Sequence, residues 1–178
     1  MDTFSREERS RVMSRIRSDD TKPEIFVRKL LFAAGFRYRL HVKSLPGKPD
    51  IVLAKWRTAV FVNGCFWHVH KGCSKATHPS SNTNYWNEKL RRNQERDRQS
   101  IQALLNAGWR ILVVWECACR PKLAGELLAL MAGFIRSPGR EPRLDIGRTE
   151  VEAASAFAQG ASAQPPMKSD CDVKQRTA

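Results

Sequence analysis

The chain has no long apolar run, no apolar leader and few acidic residues. No stretch approaches the roughly 18 consecutive apolar residues that a membrane-spanning helix needs. The N-terminus, MDTFSREERS, also lacks the apolar segment of a cleavable signal. We therefore expect a protein of the cell interior that does not enter a membrane. Five cysteines, an odd number, are expected in such a compartment to bind metal rather than pair as disulfides.

The shortage of acidic residues leaves a strong positive charge. The 178 residues include 31 Lys and Arg against 18 Asp and Glu, a formal net charge of +13. The excess lies almost wholly in residues 1–135, whereas residues 136–178 are nearly balanced. Basic side chains that neutralise phosphates release counterions, so this charge predicts a polyanion such as nucleic acid as the partner. A solvated basic surface is the alternative.

The composition predicts one folded domain with a polar segment at each end. Residues 1–20 form a basic arm that includes Arg15 and Arg17 and that could order on a phosphate backbone or stay solvated. Residues 21–136 carry the periodic apolar patterns of a core. Residues 137–178 are rich in Pro, Gly, Ala and Ser, which predicts a disordered or weakly helical tail.

The folded part is predicted to be α/β. Thr21, Pro23 and Glu24 have the positions of a helix start, and Gly35 is the expected end of that helix. Glu24 is therefore a helix cap as readily as a catalytic residue. Further helices are expected over residues 85–106 and 123–135. Residues 36–42, 50–54, 59–62 and 109–115 have strand patterns.

Asp50 is predicted to lie beside the end of the following strand. It precedes one apolar strand, and the next strand ends at Val62 and Asn63. If these strands form a hairpin, the end of the second lies next to the start of the first. A carboxylate at the edge of a small mixed sheet, beside a basic surface, indicates a divalent metal and phosphodiester hydrolysis.

Residues 63–73, called the 63–73 loop below, have the sequence NGCFWHVHKGC. Cys65, His70 and Cys73 are residue types that bind zinc, and a further ligand could come from the ECAC segment after the last predicted strand. Phe66 and Trp67 are too bulky and too close together for an ordinary turn. The alternative is that the thiols and aromatics are all core residues. It fits poorly, because no helical or strand period includes every apolar member of the loop.

The helix predicted over residues 85–106 carries two polar residues in an apolar stripe. Asn93 and Asp97 share one face with Trp86, Leu90, Ile101 and Leu104. A carboxylate in such a position must be paired or hydrogen-bonded. We therefore expect Asn93 and Asp97 to point towards a polar site, with a structural N-cap or a bond to the backbone as the alternative.

These motifs together resemble the very short patch repair DNA mismatch endonucleases. The resemblance spans residues 6–120 and depends on TKPE at 21–24, LPGKPD at 45–50, GCFWH at 64–68, YW at 85–86, Asn93, RD at 96–97, GW at 108–109 and WEC at 115–117. It implies the PD-(D/E)-x-K restriction-endonuclease-like fold, an α/β fold in which helices flank a central mixed β-sheet. It also implies a structural zinc site.

The resemblance further implies a hydrolase that uses Mg2+ to nick one strand of DNA beside a T:G mismatch. Such mismatches arise when 5-methylcytosine deaminates. The expected partner is double-stranded DNA with a mismatch, bound by a monomer in the bacterial cytoplasm, where the protein would associate with the nucleoid. Accessory repair proteins could take part.

The same resemblance assigns roles to individual residues. Asp50 and the main-chain carbonyl of Val62 would hold Mg2+, and His68 would be a general acid or base that Asp97 orients. The other implied roles are zinc binding by Cys65, His70, Cys73 and Cys117, and an intercalating aromatic wedge of Phe66, Trp67 and Trp86. Further candidates are Glu24 and Asn63 for catalysis, and Arg15 and Arg17 of the basic arm for DNA contacts.

Two positions depart from the pattern that the resemblance implies. Val62 stands where the wider superfamily has a second acidic residue, so only its carbonyl oxygen could bind a metal. Asn63 stands where many relatives have a second histidine, and an amide cannot shuttle a proton. We therefore expect lower or differently pH-dependent activity. The alternatives are a nuclease of this fold with a different or relaxed target, and a catalytically impaired, zinc-stabilised DNA-binding module.

Overall fold

The computed structural model describes residues 19–161 except 138 and 140, and the side chains only up to residue 156. Arg15, Arg17 and Cys171 lie outside the described residues. Within them the chain forms four α-helices, α1 (Lys22–Ala33), α2 (Thr83–Asn106), α3 (Ala124–Arg136) and α4 (Arg148–Ala161). The five strands are β1 (Arg39–Leu40), β2 (Ile51–Leu53), β3 (Thr58–Asn63), β4 (Arg110–Trp115) and β5 (Arg143–Ile146).

The strands form one mixed sheet in the order β1-β2-β3-β4-β5. β1 pairs with β2, and β2 with β3, in antiparallel directions, whereas β3, β4 and β5 are parallel. β3 and β4 are apolar along most of their length because helices cover both faces of the sheet. The mixed sheet with flanking helices agrees with the fold class expected from the sequence.

Two apolar layers hold the helices to the sheet. On one face, α1, α3 and α4 pack against the sheet through a cluster that includes Val27, Leu31, Leu127, Ile135 and Val151. On the other face, α2 packs against the sheet through a second cluster. Its buried members are Ala59, Ile101, Leu104, Ile111 and Val113. The molecule therefore has three layers. No helix in the described part of the chain is long and apolar enough to cross a membrane.

The predicted first helix is confirmed, including its start. The Thr21 hydroxyl donates to Glu24 Oε1 at 2.8 Å, and the main-chain N–H of Glu24 lies 3.5 Å from the Thr21 hydroxyl oxygen. Pro23 lies in the first turn, where its missing N–H does no harm. After the helix, Gly35 has φ of 86°, a left-handed conformation that glycine adopts most easily.

The strand expected over residues 36–42 is shorter than its alternating pattern suggests. Only Arg39 and Leu40 pair with β2. His41 has φ of 46°, which is not an extended conformation, so the strand ends there. Alternation alone could not reveal this turn of the backbone.

The ends of β3, β4 and β5 and the start of β2 lie at the same side of the sheet, called the carboxyl edge below. Parallel strands end at one edge, and β2 begins there because it runs antiparallel to β3. The register pairs Ile51 with Val60, which places Asp50 beside Val62. The predicted hairpin is confirmed.

The segment after residue 136 differs from the expected tail. Residues 143–146 pair in parallel with β4, and the following helix α4 packs on the sheet, with Ile146 and Val151 both 0% exposed. The composition-based boundary at residue 137 therefore lies too early. A strand of four residues in which Arg143 and Asp145 are exposed has too weak a pattern to stand out among nearby Pro and Gly residues. Residues 162–178 lie outside the described part.

Candidate active site and metal centre

Asp50 is a partly buried carboxylate at the carboxyl edge. The main-chain N–H of Val62 donates to Asp50 Oδ2 at 2.7 Å, which fixes the side chain beside the end of β3. Burial raises the pKa of Asp50 to about 6, although the Val62 hydrogen bond opposes the shift. The Asp50 carboxylate and the Val62 carbonyl together offer only oxygen donors, the type that Mg2+ prefers. The site therefore suits a divalent cation that would offset the buried charge.

Glu24 belongs to a buried network centred on Arg28. Glu24 is 3% exposed and Arg28 is 9% exposed. The Arg28 guanidinium donates to Glu24 Oε2 at 2.9 Å, pairs with Asp20 and lies 2.9 Å from His41 Nε2. A guanidinium has no acceptor, so Nε2 of His41 accepts this bond and Nδ1 carries the ring proton. The guanidinium of Arg28 therefore supplies the positive charge among Asp20, Glu24 and His41.

The position of Glu24 favours a structural role over direct catalysis. Its oxygens accept from the Thr21 hydroxyl, the Asp20 N–H and Arg28, so both are already engaged. Its negative charge nevertheless contributes to the raised pKa of Asp50. Glu24 therefore affects the site through charge and through the start of α1. A catalytic role for Glu24 stays a prediction.

His68 and Asp97 form a hydrogen-bonded pair between the 63–73 loop and α2. His68 Nδ1 lies 2.5 Å from Asp97 Oδ2, and both side chains are about one quarter exposed, at 25% and 27%. Asn93, one turn earlier on α2, donates from Nδ2 to the carbonyl of Trp67 at 3.1 Å. Both polar residues in the apolar stripe of α2 therefore contact the loop, Asp97 through the side chain of His68 and Asn93 through a main-chain carbonyl, which was the alternative expected from the sequence. Asn63 lies at the end of β3 and is nearly buried.

Phe66, Trp67 and Trp86 form one aromatic cluster. The ring centroids lie 5.1 Å apart for Phe66 and Trp67, 5.4 Å for Phe66 and Trp86, and 6.0 Å for Trp67 and Trp86. Lys89 lies over the rings of Trp67 and Trp86. Phe66 and Trp67 are half-buried, whereas Trp86 is only 7% exposed. In the free protein, Trp86 thus packs beneath the more exposed rings of Phe66 and Trp67, on the side facing the protein interior.

Four side chains converge as a candidate zinc site. The ligand atoms of Cys65, His70, Cys73 and Cys117 all lie within 4.8 Å of one another. His70 Nδ1 faces the sulfurs of Cys65 and Cys117, at 3.5 and 3.4 Å. Cys119 instead lies 3.8 Å from the carbonyl of Trp115. The structure thus brings together the four residues implied by the resemblance, from the 63–73 loop and from the end of β4.

The chemistry of this donor set fits zinc. Three thiols and one imidazole are a common set for a structural zinc ion. Burial raises the pKa of Cys65 and of Cys117, so these thiols are neutral without a nearby positive charge. A zinc ion would reverse that preference, because a coordinating thiol loses its proton.

The 63–73 loop contains a strained residue between its two histidines. Val69 has φ of 51°, a left-handed conformation that is unfavourable for a β-branched side chain. On either side, the N–H of His68 donates to the Gly64 carbonyl at 3.1 Å, and the N–H of His70 donates to the Cys65 carbonyl at 2.9 Å. The strain persists because the contacts of His68 with α2 and of His70 with the thiols both constrain the loop.

Two groups of residues near the site were not found from the sequence. One is the Arg28–His41 contact, which joins a helix to the end of a short strand and leaves no local pattern. The other is the β5–α4 junction, where Arg148 and Glu150 follow Gly147 beside the candidate zinc site. Gly147 with Glu150 three residues later resembles a helix start, and this signal could have revealed α4.

The fold and the site define a nuclease of the restriction-endonuclease-like class, with a mixed sheet between helices and Asp50 at its carboxyl edge. A family model described as DNA mismatch endonuclease Vsr matches residues 1–75. The DNA mismatch endonuclease Vsr of Escherichia coli is 37% identical over 163 residues, which cover 92% of this chain and 92% of that protein. The chain belongs to the Vsr family of DNA mismatch endonucleases.

Further relatives are named as nicking enzymes. The type II nicking enzyme V.NmeAIP of Neisseria meningitidis is 50% identical over 121 residues, or 68% of this chain and 86% of that protein. The type II nicking enzyme V.XorIIP of Xanthomonas oryzae pv. oryzae is 47% identical over 116 residues, or 65% of this chain and 85% of that protein. The family relationship therefore extends across endonucleases with several names.

Proposed function

We propose that this protein nicks one DNA strand beside a T:G mismatch of the kind left by deamination of 5-methylcytosine, in a reaction that requires Mg2+. One observation carries the proposal: His68, which pairs with Asp97, and the outer aromatic residues Phe66 and Trp67 lie in the 63–73 loop. This loop follows β3, whose Val62 N–H donates to Asp50. The names of the relatives support nicking and mismatched DNA as the substrate.

Asp50 and the carbonyl of Val62 would hold the Mg2+ ion. When bound, this ion supplies positive charge that stabilises the negative charge developing on the phosphate. Asp50 itself is held in one orientation by the Val62 N–H, so the carboxylate needs little rearrangement to bind a cation. The raised pKa of Asp50 means that cation binding competes with a proton at acidic pH.

His68 would exchange the proton that the reaction requires. Asp97 accepts the Nδ1–H of His68, which orients the ring and leaves Nε2 for the substrate. From that nitrogen, His68 would either protonate the leaving oxygen or take a proton from the attacking water. Asn63 has no titratable group, so this proton exchange depends on His68.

The aromatic cluster would recognise the mismatch. Aromatic side chains that enter a base stack must separate neighbouring base pairs, which costs a few kcal/mol per step and less at a mismatched pair. Phe66 and Trp67 are the outer rings of the cluster, so they would enter first, with Trp86 behind them. This difference in cost between matched and mismatched steps gives a physical basis for selecting the lesion.

Zinc bound by Cys65, His70, Cys73 and Cys117 would hold the loop that carries this cluster. Cys65 and His70 flank Phe66 and Trp67 in the sequence, so a metal that ties both ends limits the motion of the rings. Metal analysis of the purified protein tests the site directly. We expect one zinc ion per chain and a loss of stability in Cys73→Ser. A zinc-free protein whose Cys73→Ser variant folds normally would contradict the zinc site.

The nicking reaction can be tested with duplexes labelled on either strand. We expect the protein with Mg2+ to cut one strand of a T:G duplex and to leave T:A and C:G duplexes largely intact. A chelator and the substitution Asp50→Ala should each abolish the cut. Unaltered nicking by Asp50→Ala would remove Asp50 from the reaction. Duplexes with varied flanking bases show whether the protein cuts in one sequence context or in many. Cutting in many contexts would support the first alternative, a nuclease with a relaxed target.

A second candidate function follows from Asn63. If the amide at this position has removed catalysis, the protein is a zinc-stabilised module that binds mismatched DNA without cutting it. Binding of a T:G duplex without any nicking of the unaltered protein would support this alternative. Restoration of nicking by Asn63→His would then identify the missing proton carrier.

A further inference from the structure

The junction between β5 and α4 lies directly against the zinc ligands. The main-chain N–H of Arg148, the first residue of α4, donates to Cys117 Sγ at 3.3 Å. The preceding residue, Gly147, leaves no room for a side chain: an added Cβ would lie 2.9 Å from His70 Cε1. The end of the sheet and the start of α4 therefore contact two of the four proposed ligands.

The orientation of His70 places its second ring nitrogen, Nε2, on the side of the junction between β5 and α4. Its Nδ1 faces the thiols of Cys65 and Cys117, so Nδ1 is the nitrogen available to a metal and Nε2 carries the proton. Histidines that bind metals usually donate this second N–H to a carboxylate, a carbonyl or water. The ring of His70 is also stacked on Trp115, with centroids 4.1 Å apart and an angle of 4° between the planes. Tilting of the ring is thus restricted.

Glu150 is a carboxylate near His70 Nε2, although the two side chains do not hydrogen-bond directly in the free protein. The same added Cβ on Gly147 would lie 3.1 Å from His70 Nε2 and 2.9 Å from Glu150 Oε2, so both atoms line one small space. Glu150 Oε2 also accepts the N–H of Gly147 at 2.8 Å. This bond fixes the carboxylate at the start of α4, and an ionised carboxylate can accept further hydrogen bonds.

We propose that residues 147–150 form the outer shell of the zinc site, in which the Arg148 N–H stabilises the Cys117 thiolate and Glu150 orients His70 by accepting its Nε2–H once zinc is bound. The proposal rests on the zinc site put forward above. Three thiolates around one zinc ion leave a net negative charge, which an N–H donor at the positive end of a helix offsets. Helix α4 thereby sets how firmly zinc, and with it the 63–73 loop, is held.

Two substitutions at Arg148 separate its N–H from its side chain. Arg148→Ala and Arg148→Pro both remove the ion pair with Glu152, but only proline removes the main-chain N–H. Proline suits this first helical position, where the N–H makes no bond within the helix. We expect zinc affinity, measured by competition with a chromogenic chelator, to be roughly tenfold weaker in Arg148→Pro than in Arg148→Ala.

A second pair of variants tests Glu150 and does not depend on proline. Glu150→Gln keeps an oxygen for the Gly147 N–H but removes the charge facing His70, whereas Glu152→Gln removes a charge from the exposed side of the same helix. We expect Glu150→Gln to weaken zinc binding by roughly three- to tenfold. It should also shift the visible absorption of the cobalt-substituted protein. Glu152→Gln should change neither.

The outcomes distinguish the outer shell from the zinc site itself. Equal zinc affinity in both proline and alanine variants, together with equal affinity in both glutamine variants, would overturn the outer shell while leaving the zinc site intact. A purified protein that binds no zinc would overturn both. If Arg148→Pro fails to fold, the comparison of Glu150→Gln with Glu152→Gln decides the question.

Discussion

His68 Nδ1 and Asp97 Oδ2 lie 2.5 Å apart, so a residue of the 63–73 loop and a residue of α2 form one hydrogen-bonded pair. The substitution Asp97→Asn keeps nearly the same side-chain size as Asp97. It removes the negative charge, however, and can present an N–H to the imidazole of His68 in place of an acceptor. We expect the kcat for nicking a T:G duplex to fall by about 100-fold or more, with less than about a threefold change in DNA affinity.

Glu95→Gln is the matched control for this substitution. Glu95 lies on the same helix but pairs with the exposed Arg98 at 2.8 Å, away from the loop. Single-turnover nicking and binding should be measured for both variants in the same buffer. An Asp97→Asn variant that nicks as fast as Glu95→Gln would contradict the orienting role of Asp97.

The raised pKa of Asp50 predicts a pH-dependent gain in stability on its replacement. Burial shifts this pKa from 3.8 to about 6, so the folded state binds the proton more tightly than the unfolded state. The favourable contribution is full below pH 3.8 and is lost as the pH rises through 6. The difference between these two pKa values corresponds to roughly 3 kcal/mol. We therefore expect Asp50→Asn to raise the free energy of unfolding by about 2–3 kcal/mol at pH 8 and by little near pH 4.

Urea unfolding in buffer without Mg2+ measures this difference. Asp145→Asn is a suitable control, because Asp145 is an exposed carboxylate paired with Arg143 and its loss removes one surface charge. Added Mg2+ should stabilise the unaltered protein much more than Asp50→Asn, since the amide lacks the negative charge that attracts the cation. If the stability difference is the same at both pH values, burial does not penalise the ionised form of Asp50, and the prediction is wrong.

The outer position of Trp67 predicts a selective loss of mismatch binding. Stacking of one base on an aromatic side chain is worth about 1–3 kcal/mol. We expect Trp67→Ala to weaken binding of a T:G duplex by about tenfold or more and binding of the matched duplex by less than about threefold. Fluorescence anisotropy without Mg2+ measures both. Phe32→Ala removes an aromatic side chain that is 57% exposed and serves as the control. Equal losses on both duplexes would reduce Trp67 to a packing residue.

Much of the carboxyl edge could be predicted because its signals are local. The two apolar runs at residues 50–54 and 59–62 favoured a hairpin, and the hairpin places Asp50 beside Val62. Residue type and spacing predicted Cys65, His70 and Cys73 as one cluster. The stripe on α2 predicted that Asp97 would meet a polar site, because a carboxylate among apolar residues needs a partner. In each case the physical constraint lies within one or two neighbouring elements.

Other parts of the site depend on contacts between distant segments and left no such signal. Arg148 meets Cys117 only because β5 adds to β4 and ends at the same edge of the sheet. His41 meets Arg28 only because β1 ends where His41 adopts a positive φ. Neither the short, partly exposed β5 nor the two-residue β1 has a pattern long enough to specify its pairing partner from sequence alone.

The buried ion pair of Arg28 and Glu24 predicts that replacing Arg28 alone strongly lowers the free energy of unfolding. Replacing Glu24 as well should restore part of the loss. Arg28→Met preserves the length of the side chain but leaves the Glu24 carboxylate, which is 3% exposed, without its cation. Removing one partner of a buried ion pair costs about 3–5 kcal/mol, whereas replacing both partners costs much less. We expect urea unfolding to show a loss of this size in Arg28→Met and a recovery of about half or more in the double variant Arg28→Met/Glu24→Gln. Lys22→Met, on the same helix, is the control for loss of one cation. A double variant that is less stable than Arg28→Met would mean that Glu24 stabilises the start of α1 independently of Arg28.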